Sequence, residues 1–152
     1  MRLDQWLNDH HVHFDRLHHD PVYTASRLAQ TLHVPGQEVA KTILLRTGAG
    51  YAVAVLPANS RVDLEQVRRC LDDDAIELAS EAEIQRLFPD CERGAMPPFG
   101  SLYHLHTLVD ESLTWDEEIV FDGQSHDEAI RMAYRDYEAL EHPTRAQFAC
   151  HT

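Results

Sequence analysis

The sequence predicts a mixed α/β (α+β) fold in which a mixed central β-sheet is flanked by helices. The length of 152 residues suits one domain with a real core. The hydrophobic fraction of 43% is that of a globular protein. Helix-like and strand-like segments are interleaved without a strict βαβ order, which favours a mixed sheet over a parallel one. We therefore predict a single domain over residues 1–152.

The N-terminal part of the chain is predicted to form two helices. Leu3 to His10 forms a short helix within an N-terminal extension of residues 1–13. Thr24 can cap a second helix that runs to Leu32, because the apolar residues after it recur at helical spacing. The sequence Val34-Pro35-Gly36 ends that helix.

The central segments predict a β-hairpin. The apolar runs Val39–Arg46 and Tyr51–Leu56 are separated by a turn containing two glycines. The later predicted elements are a helix over Asp63–Leu71, a strand over Ala75–Ala79, a helix from the capping box Ser80–Glu83 to Phe88, an irregular segment Pro89–Gly100, strands Leu102–Val109 and Glu118–Asp122, a strand or helix Glu128–Ala133 and a helix Tyr134–Leu140.

Charge and composition exclude several classes of function. The net charge of −13 argues against general DNA or RNA binding, so any contact with RNA must be short and local or be helped by a basic partner. No apolar stretch approaches the roughly 20 residues of a membrane-spanning helix. Cys70, Cys91 and Cys150 are widely spaced without a CxxC pair, which favours reduced thiols. We expect a cytoplasmic protein with no membrane association.

Lys41 is the sole lysine among 13 basic residues, and the other twelve are arginines. A compact ammonium differs from a guanidinium in shape and hydration, so its retention at one position indicates a specific role. Lys41 lies in a predicted strand among apolar residues and should therefore face a polar cleft or meet a carboxylate. Two alternatives stay open, namely a lysine that protects a strand edge and a chance survivor of arginine-rich codon usage.

The segment Gly94 to Gly100 is the most unusual in the chain. Its adjacent prolines fix φ, and its flanking glycines permit backbone angles closed to other residues. Such a rigid loop can present the N–H groups of Gly94, Ala95 and Met96 to a ligand, as acyl transfer requires. The alternative is a structural turn that packs Phe99 into the core.

No motif of a side-chain nucleophile, a nucleotide phosphate loop or a zinc protease is present. His104 and His106 would share one face of a strand, and more histidines cluster upstream. No cysteine or carboxylate at matching short spacing completes a ligand set, so we predict no metal and no cofactor.

Glu38-Val39-Ala40-Lys41-Thr42 and the GxxxP sequence from Gly94 to Pro98 resemble the YbaK-like, prolyl-tRNA-synthetase-associated editing domains. The resemblance covers about Phe14 to Leu140. The segment Val120–His126 also fits, although the family more often has Ala-Gly where Asp122-Gly123 stands.

This resemblance implies a YbaK-like fold and a metal-independent aminoacyl-tRNA deacylase that acts in trans on mischarged tRNA. It implies that Lys41 contacts the 3′-terminal nucleotide and that the Gly94 backbone orients the scissile carbonyl or the attacking water. The partner is the 3′ acceptor end of tRNA, with an aminoacyl-tRNA synthetase as a further candidate. The other expected substrate-binding residues are Tyr23, Thr24, Thr42, Ala95, Met96, Pro97, Pro98, Phe99, Gly100 and His126.

Several residues and the function itself have alternative interpretations. Met96 could limit the size of the amino-acid pocket, and His126 could contact the substrate amine or ribose. Thr42 should face away from Lys41 if the strand is regular. The alternative function is a non-catalytic module that binds an aminoacyl or nucleotide group. A third hypothesis is a metal-dependent hydrolase whose ligands are the histidines.

Overall fold

The computed structural model describes residues 2–151, in which helices and strands alternate much as the sequence predicts. Among these helices, none has the length and hydrophobicity needed to cross a bilayer. The helices are α1 (Leu3–Asp9), α2 (Ala25–Leu32), α3 (Leu64–Leu71), α4 (Glu81–Leu87) and α5 (Tyr134–Glu141). The strands are β1 (Asp15–His18), β2 (Ala40–Thr47), β3 (Gly50–Pro57), β4 (Ser60–Val62), β5 (Glu77–Leu78), β6 (His106–Asp110), β7 (Glu118–Asp122), β8 (Glu128–Ala133), β9 (Thr144–Ala146) and β10 (Ala149–His151).

The main sheet has five strands in the order β5-β2-β3-β6-β9. Strands β2 and β3 form the predicted antiparallel hairpin, with register from Ala40 opposite Pro57 to Thr47 opposite Gly50. Strand β6 adds parallel to β3, and β9 adds parallel to β6. The mixed central sheet predicted from the sequence is therefore confirmed.

A second, antiparallel sheet has the order β1-β8-β7. A parallel bridge between Val39 and Val120 joins this sheet to the start of β2. The ambiguous segment Glu128–Ala133 is a strand, which pairs with both β1 and β7. Strands β1, β4, β9 and β10 were not predicted, because runs of three or four residues carry too little alternation to read.

The core lies on both faces of the main sheet. On one face, Phe99, Phe121 and Tyr137 belong to a cluster that also takes in α1 through Leu3 and Leu7. The N-terminal helix is thus part of the main core. On the other face, α3 packs against the sheet in a second cluster that includes Leu45, Ala54, Leu56, Val67, Leu108 and Phe148.

Local signals for helix starts are confirmed, whereas one predicted strand begins late. The Thr24 hydroxyl accepts the Arg27 N–H at 3.1 Å, and the Ser80–Glu83 capping box is complete. The prediction of a strand from Leu102 was wrong, because a 3-10 turn over Gly100–Tyr103 precedes β6. His104 follows this turn with φ of 60°, so His104 and His106 do not share one face of a strand. The strand predicted over Ala75–Ala79 shortens to Glu77–Leu78.

Candidate active site

A cavity of about 280 Å³ opens at the edge of β2. Strand β5 pairs with β2 only at Leu45 and Arg46, and the bridge to β7 involves only Val39. Within residues 2–151, positions 40–43 therefore have no neighbouring strand on this side. A free strand edge can offer backbone hydrogen bonds to a ligand. The lining residues that could take part in chemistry are Tyr23, Lys41, Thr42, Gly94, Met96 and Asp122.

Lys41 and Gly94, which the sequence places 53 positions apart, line this same cavity. The Lys41 ammonium is half-buried, and it has no hydrogen bond or ion pair with any other described residue. Burial lowers its pKa from the ordinary value for lysine. An unpaired, half-buried cation is costly, and a ligand carbonyl or phosphate in the cavity would offset that cost.

Gly94 lies at the cavity mouth with a φ of 81°, which is the left-handed region that favours glycine. In the described structure, neither the Gly94 nor the Met96 N–H has an acceptor. The Ala95 N–H differs from the expectation, because it donates to the Glu92 carbonyl at 2.9 Å. Two of the three predicted backbone donors are therefore available to a ligand.

The second half of the loop packs into the core and does not line the cavity. Residues 95–100 are buried. The Tyr137 hydroxyl donates to the Pro98 carbonyl at 2.7 Å, and the Gly100 N–H donates to the Thr107 hydroxyl at 3.0 Å. The Phe99 ring packs edge-on against Phe121 and Tyr137. Pro97 to Gly100 therefore anchor the loop, as the structural alternative proposed, while Gly94 and Met96 face the cavity.

His126 contacts the Gly94 loop from outside the cavity at the β2 edge. Its Nε2 contacts the Arg93 carbonyl, directly before Gly94, and its ring lies 4.9 Å from the Tyr23 ring. His126, Tyr23 and Gly94 line an adjoining open cavity of about 540 Å³. Thr24 lines neither cavity, since its hydroxyl caps α2.

Two polar atoms at the cavity lack partners. Oγ1 of Thr42 and Oδ1 of Asp122 are buried with no hydrogen-bond partner in the described chain. Thr42 lines the cavity next to Lys41 even though successive strand residues face opposite ways, because the cavity follows the free edge of β2. Asp122 was not among the predicted site residues. The signal that could have found it is a carboxylate directly after the buried run Ile119–Phe121.

Burial raises the pKa of Asp122 to about 6, and the repulsion from Glu92 adds to this effect. The nearby rings of His126 and His19 act in the opposite direction. Because the folded-state pKa exceeds the unfolded value of about 3.9, ionising this carboxyl costs stability as the pH rises from about 4 to 6. The structure thus keeps a destabilising charge in the cavity.

The substitution Asp122→Asn should therefore stabilise the protein at neutral pH. We expect a gain of about 2–3 kcal/mol in the free energy of unfolding at pH 7, which fades as the pH falls from about 6 to 4. Urea denaturation of both proteins at pH 7 and pH 3.5 measures the difference. A gain that is the same at both pH values would contradict the assigned pKa of this carboxyl.

Elsewhere, a cavity of about 560 Å³ has four acidic residues and two arginines among those that line it, and it contains none of the predicted site residues. Within residues 2–151, no group of three or more His, Cys, Asp or Glu side chains is placed to hold a metal ion. The described thiols of Cys70, Cys91 and Cys150 are all free.

Comparison with known proteins identifies solved structures of the same fold and one protein family that the sequence matches. The crystal structure of the hypothetical protein APE2540 superposes with a TM-score of 0.90 at 18% identity, covering 99% of this chain and 100% of that one. A candidate trans-editing enzyme for prolyl tRNA synthetase superposes with a TM-score of 0.83 at 21% identity, covering 97% and 94%. At these identities the likeness concerns the fold alone. No curated protein matches the sequence significantly.

The family comparison is more informative than any single relative. Residues 19–140 match the family described as the aminoacyl-tRNA editing domain. This match spans most of the chain, including both the β2 edge and the Gly94 loop. It agrees with the resemblance stated from the residues around Lys41 and Gly94. The chain therefore belongs to the aminoacyl-tRNA editing domain family.

Proposed function

We propose that this protein hydrolyses the ester of mischarged aminoacyl-tRNA in trans, with Lys41 and the Gly94 backbone as its catalytic centre. The observation that carries the proposal is that an unpaired ammonium and an unpaired backbone N–H line one cavity at a free strand edge. Both groups suit an ester, since one can hold the nucleotide and the other can stabilise charge on the carbonyl oxygen.

In the proposed reaction, water attacks the ester carbonyl and the electrons move onto the carbonyl oxygen. The Gly94 N–H stabilises that oxyanion, and the bond from the carbonyl carbon to the ribose oxygen then breaks. The oxyanion re-forms the carbonyl as this bond breaks, the ribose oxygen takes up the proton that the attacking water loses, and the products are a free amino acid and uncharged tRNA. An aminoacyl ester is already activated, so positioning and electrostatic stabilisation suffice without a side-chain nucleophile.

The charge of the chain limits how tRNA binds. A protein with a net charge of −13 repels the phosphate backbone, so only the 3′ acceptor end should enter the site. Delivery by an aminoacyl-tRNA synthetase would offset this repulsion. We therefore propose a cytoplasmic protein that acts beside such a synthetase, as one structural relative, a candidate trans-editing enzyme for prolyl tRNA synthetase, also suggests.

The test is a panel of tRNAs mischarged with alanine, cysteine, serine or threonine, each incubated with the protein after exhaustive chelation. We expect release of at least one amino acid at a rate well above the uncatalysed rate. Loss of that activity in the variant Lys41→Ala would assign it to this site. Binding of charged tRNA without turnover would overturn the proposal in favour of a non-catalytic module.

Tyr23 lies at the rim of the cavity and exposes 72% of its surface. An exposed aromatic ring beside a nucleotide site can stack on a base, and such stacking contributes about 1–3 kcal/mol. We expect Tyr23→Ala to raise KM for charged tRNA roughly 10-fold with little change in kcat. Steady-state deacylation kinetics separate the two parameters.

Trp115 supplies the matched control, because it is similarly exposed at 76% and lines neither of the two adjoining cavities. The variant Trp115→Ala should leave both kinetic parameters unchanged. An equal rise of KM in both variants would show that the effect is not specific to the cavity. This result would contradict the proposed stacking of Tyr23 on a base.

A further inference from the structure

The cavity holds two groups of opposite charge that do not pair with each other. The Lys41 ammonium and the Asp122 carboxylate both line it, and no ion pair within 4.0 Å joins them. Neither group forms an ion pair with any other described residue. Opposite charges that share a cavity without neutralising each other fit a ligand that itself carries both charges.

The surroundings of Asp122 leave its carboxylate available. The rings of His19 and His126 attract it electrostatically, while Glu92 repels it. Within the described residues, none of these groups forms a hydrogen bond with it, and its Oδ1 is buried with no donor. A buried acceptor without a donor carries a desolvation cost that a bound donor would remove.

An aminoacyl ester of the 3′-terminal nucleotide has the matching arrangement of charges. Its α-ammonium lies one carbon from the scissile carbonyl, and its phosphate lies beyond the ribose on the other side. If Lys41 binds the nucleotide, the Asp122 carboxylate is left to pair with the α-ammonium of the substrate. The unpartnered hydroxyl of Thr42 lines the same cavity and can accept a second hydrogen bond.

We propose that Asp122 binds the α-ammonium of the aminoacyl group and thereby determines specificity for esters with a free amine. This inference rests on the proposed function, because it places an aminoacyl ester in the cavity. The contact is a charge-assisted hydrogen bond, the stronger kind in proteins. An ester whose amine is acylated or absent would leave the carboxylate buried and unpaired, and the site should reject it. The protein would then spare peptidyl-tRNA.

The test compares alanyl-tRNA with lactyl-tRNA, in which a hydroxyl replaces the amine at nearly the same size. Each enzymatic rate is divided by the rate of the same ester without protein, because the ammonium itself activates the ester. We expect the native protein to prefer the alanyl ester about 10- to 100-fold. The variants Asp122→Asn and Asp122→Ala should lose most of this preference by acting more slowly on the alanyl ester alone.

Asp116→Asn is the matched control. Asp116 also has a buried Oδ2 without a partner and a pKa raised to about 6, but it lines the separate acidic cavity. This variant should keep the full preference for the alanyl ester. A preference that survives in both Asp122 variants would overturn the inference, and so would an equal loss of rate on both esters, which would indicate a general catalytic role.

Binding measurements separate this inference from the proposed function. Adenosine analogues that carry alanine or lactic acid through a stable 3′-amide cannot be hydrolysed, so calorimetry reports recognition alone. Tighter binding of the alanyl analogue to the native protein, but not to Asp122→Asn, would support the inference even if no ester were hydrolysed. Equal binding of both analogues by the native protein would overturn the inference and leave any observed deacylation standing.

Discussion

Replacing Lys41 with alanine is expected to lower kcat/KM for ester hydrolysis roughly 100-fold, the largest effect of any single side chain. Lys41 is the only lysine in the sequence, and in the structure its ammonium lines the cavity without a protein partner. Its contact with the substrate would therefore have no substitute. Single-turnover deacylation of a mischarged tRNA measures the loss.

Two further measurements distinguish a catalytic loss from unfolding. Because the ammonium is half-buried and unpaired, Lys41→Ala should leave the melting temperature unchanged or raise it. Lys41→Arg should restore little activity, since a planar guanidinium does not replace a compact ammonium. Arg69→Ala, which removes an exposed cation from α3, should retain full activity. Full activity in Lys41→Ala would refute the assigned centre.

The second large effect is expected at Gly94. Substitution by alanine forces an L side chain into the left-handed region, at a cost of about 1–2 kcal/mol, or shifts the loop to relieve it. Either response moves the backbone N–H that we propose faces the ester. A displacement of about 1 Å can reduce the rate on the order of 10²-fold. We expect kcat of Gly94→Ala to fall by this order while KM changes little.

Gly50 provides the control for backbone strain. It also has a positive φ, of 137°, but it is the first residue of β3, directly after the β2–β3 turn, where an added Cβ would meet no atom within 4 Å. Gly50→Ala should lose a similar amount of stability and keep its kcat. If both variants lost stability equally and neither lost activity, the Gly94 backbone would have no role in the reaction.

Local sequence signals predicted most of the elements. The hydroxyl of Thr24 and the Ser80–Glu83 box fixed two helix starts, because capping depends on residues three positions apart. The β2–β3 hairpin followed from two apolar runs and a glycine-containing turn. The short strands could not be predicted, since their pairing partners lie far away in the chain.

For the candidate site, the sequence alone determined which residues are unusual. It singled out one lysine among arginines and one proline-braced loop, since residue type and backbone freedom are properties of the chain itself. Only the tertiary structure decided that Lys41 and Gly94 line one cavity, that Pro97–Gly100 belong to the core, and that Asp122 joins the site. These facts depend on which strand edge stays unpaired and on which polar atoms lose water. Both are settled by packing between distant segments.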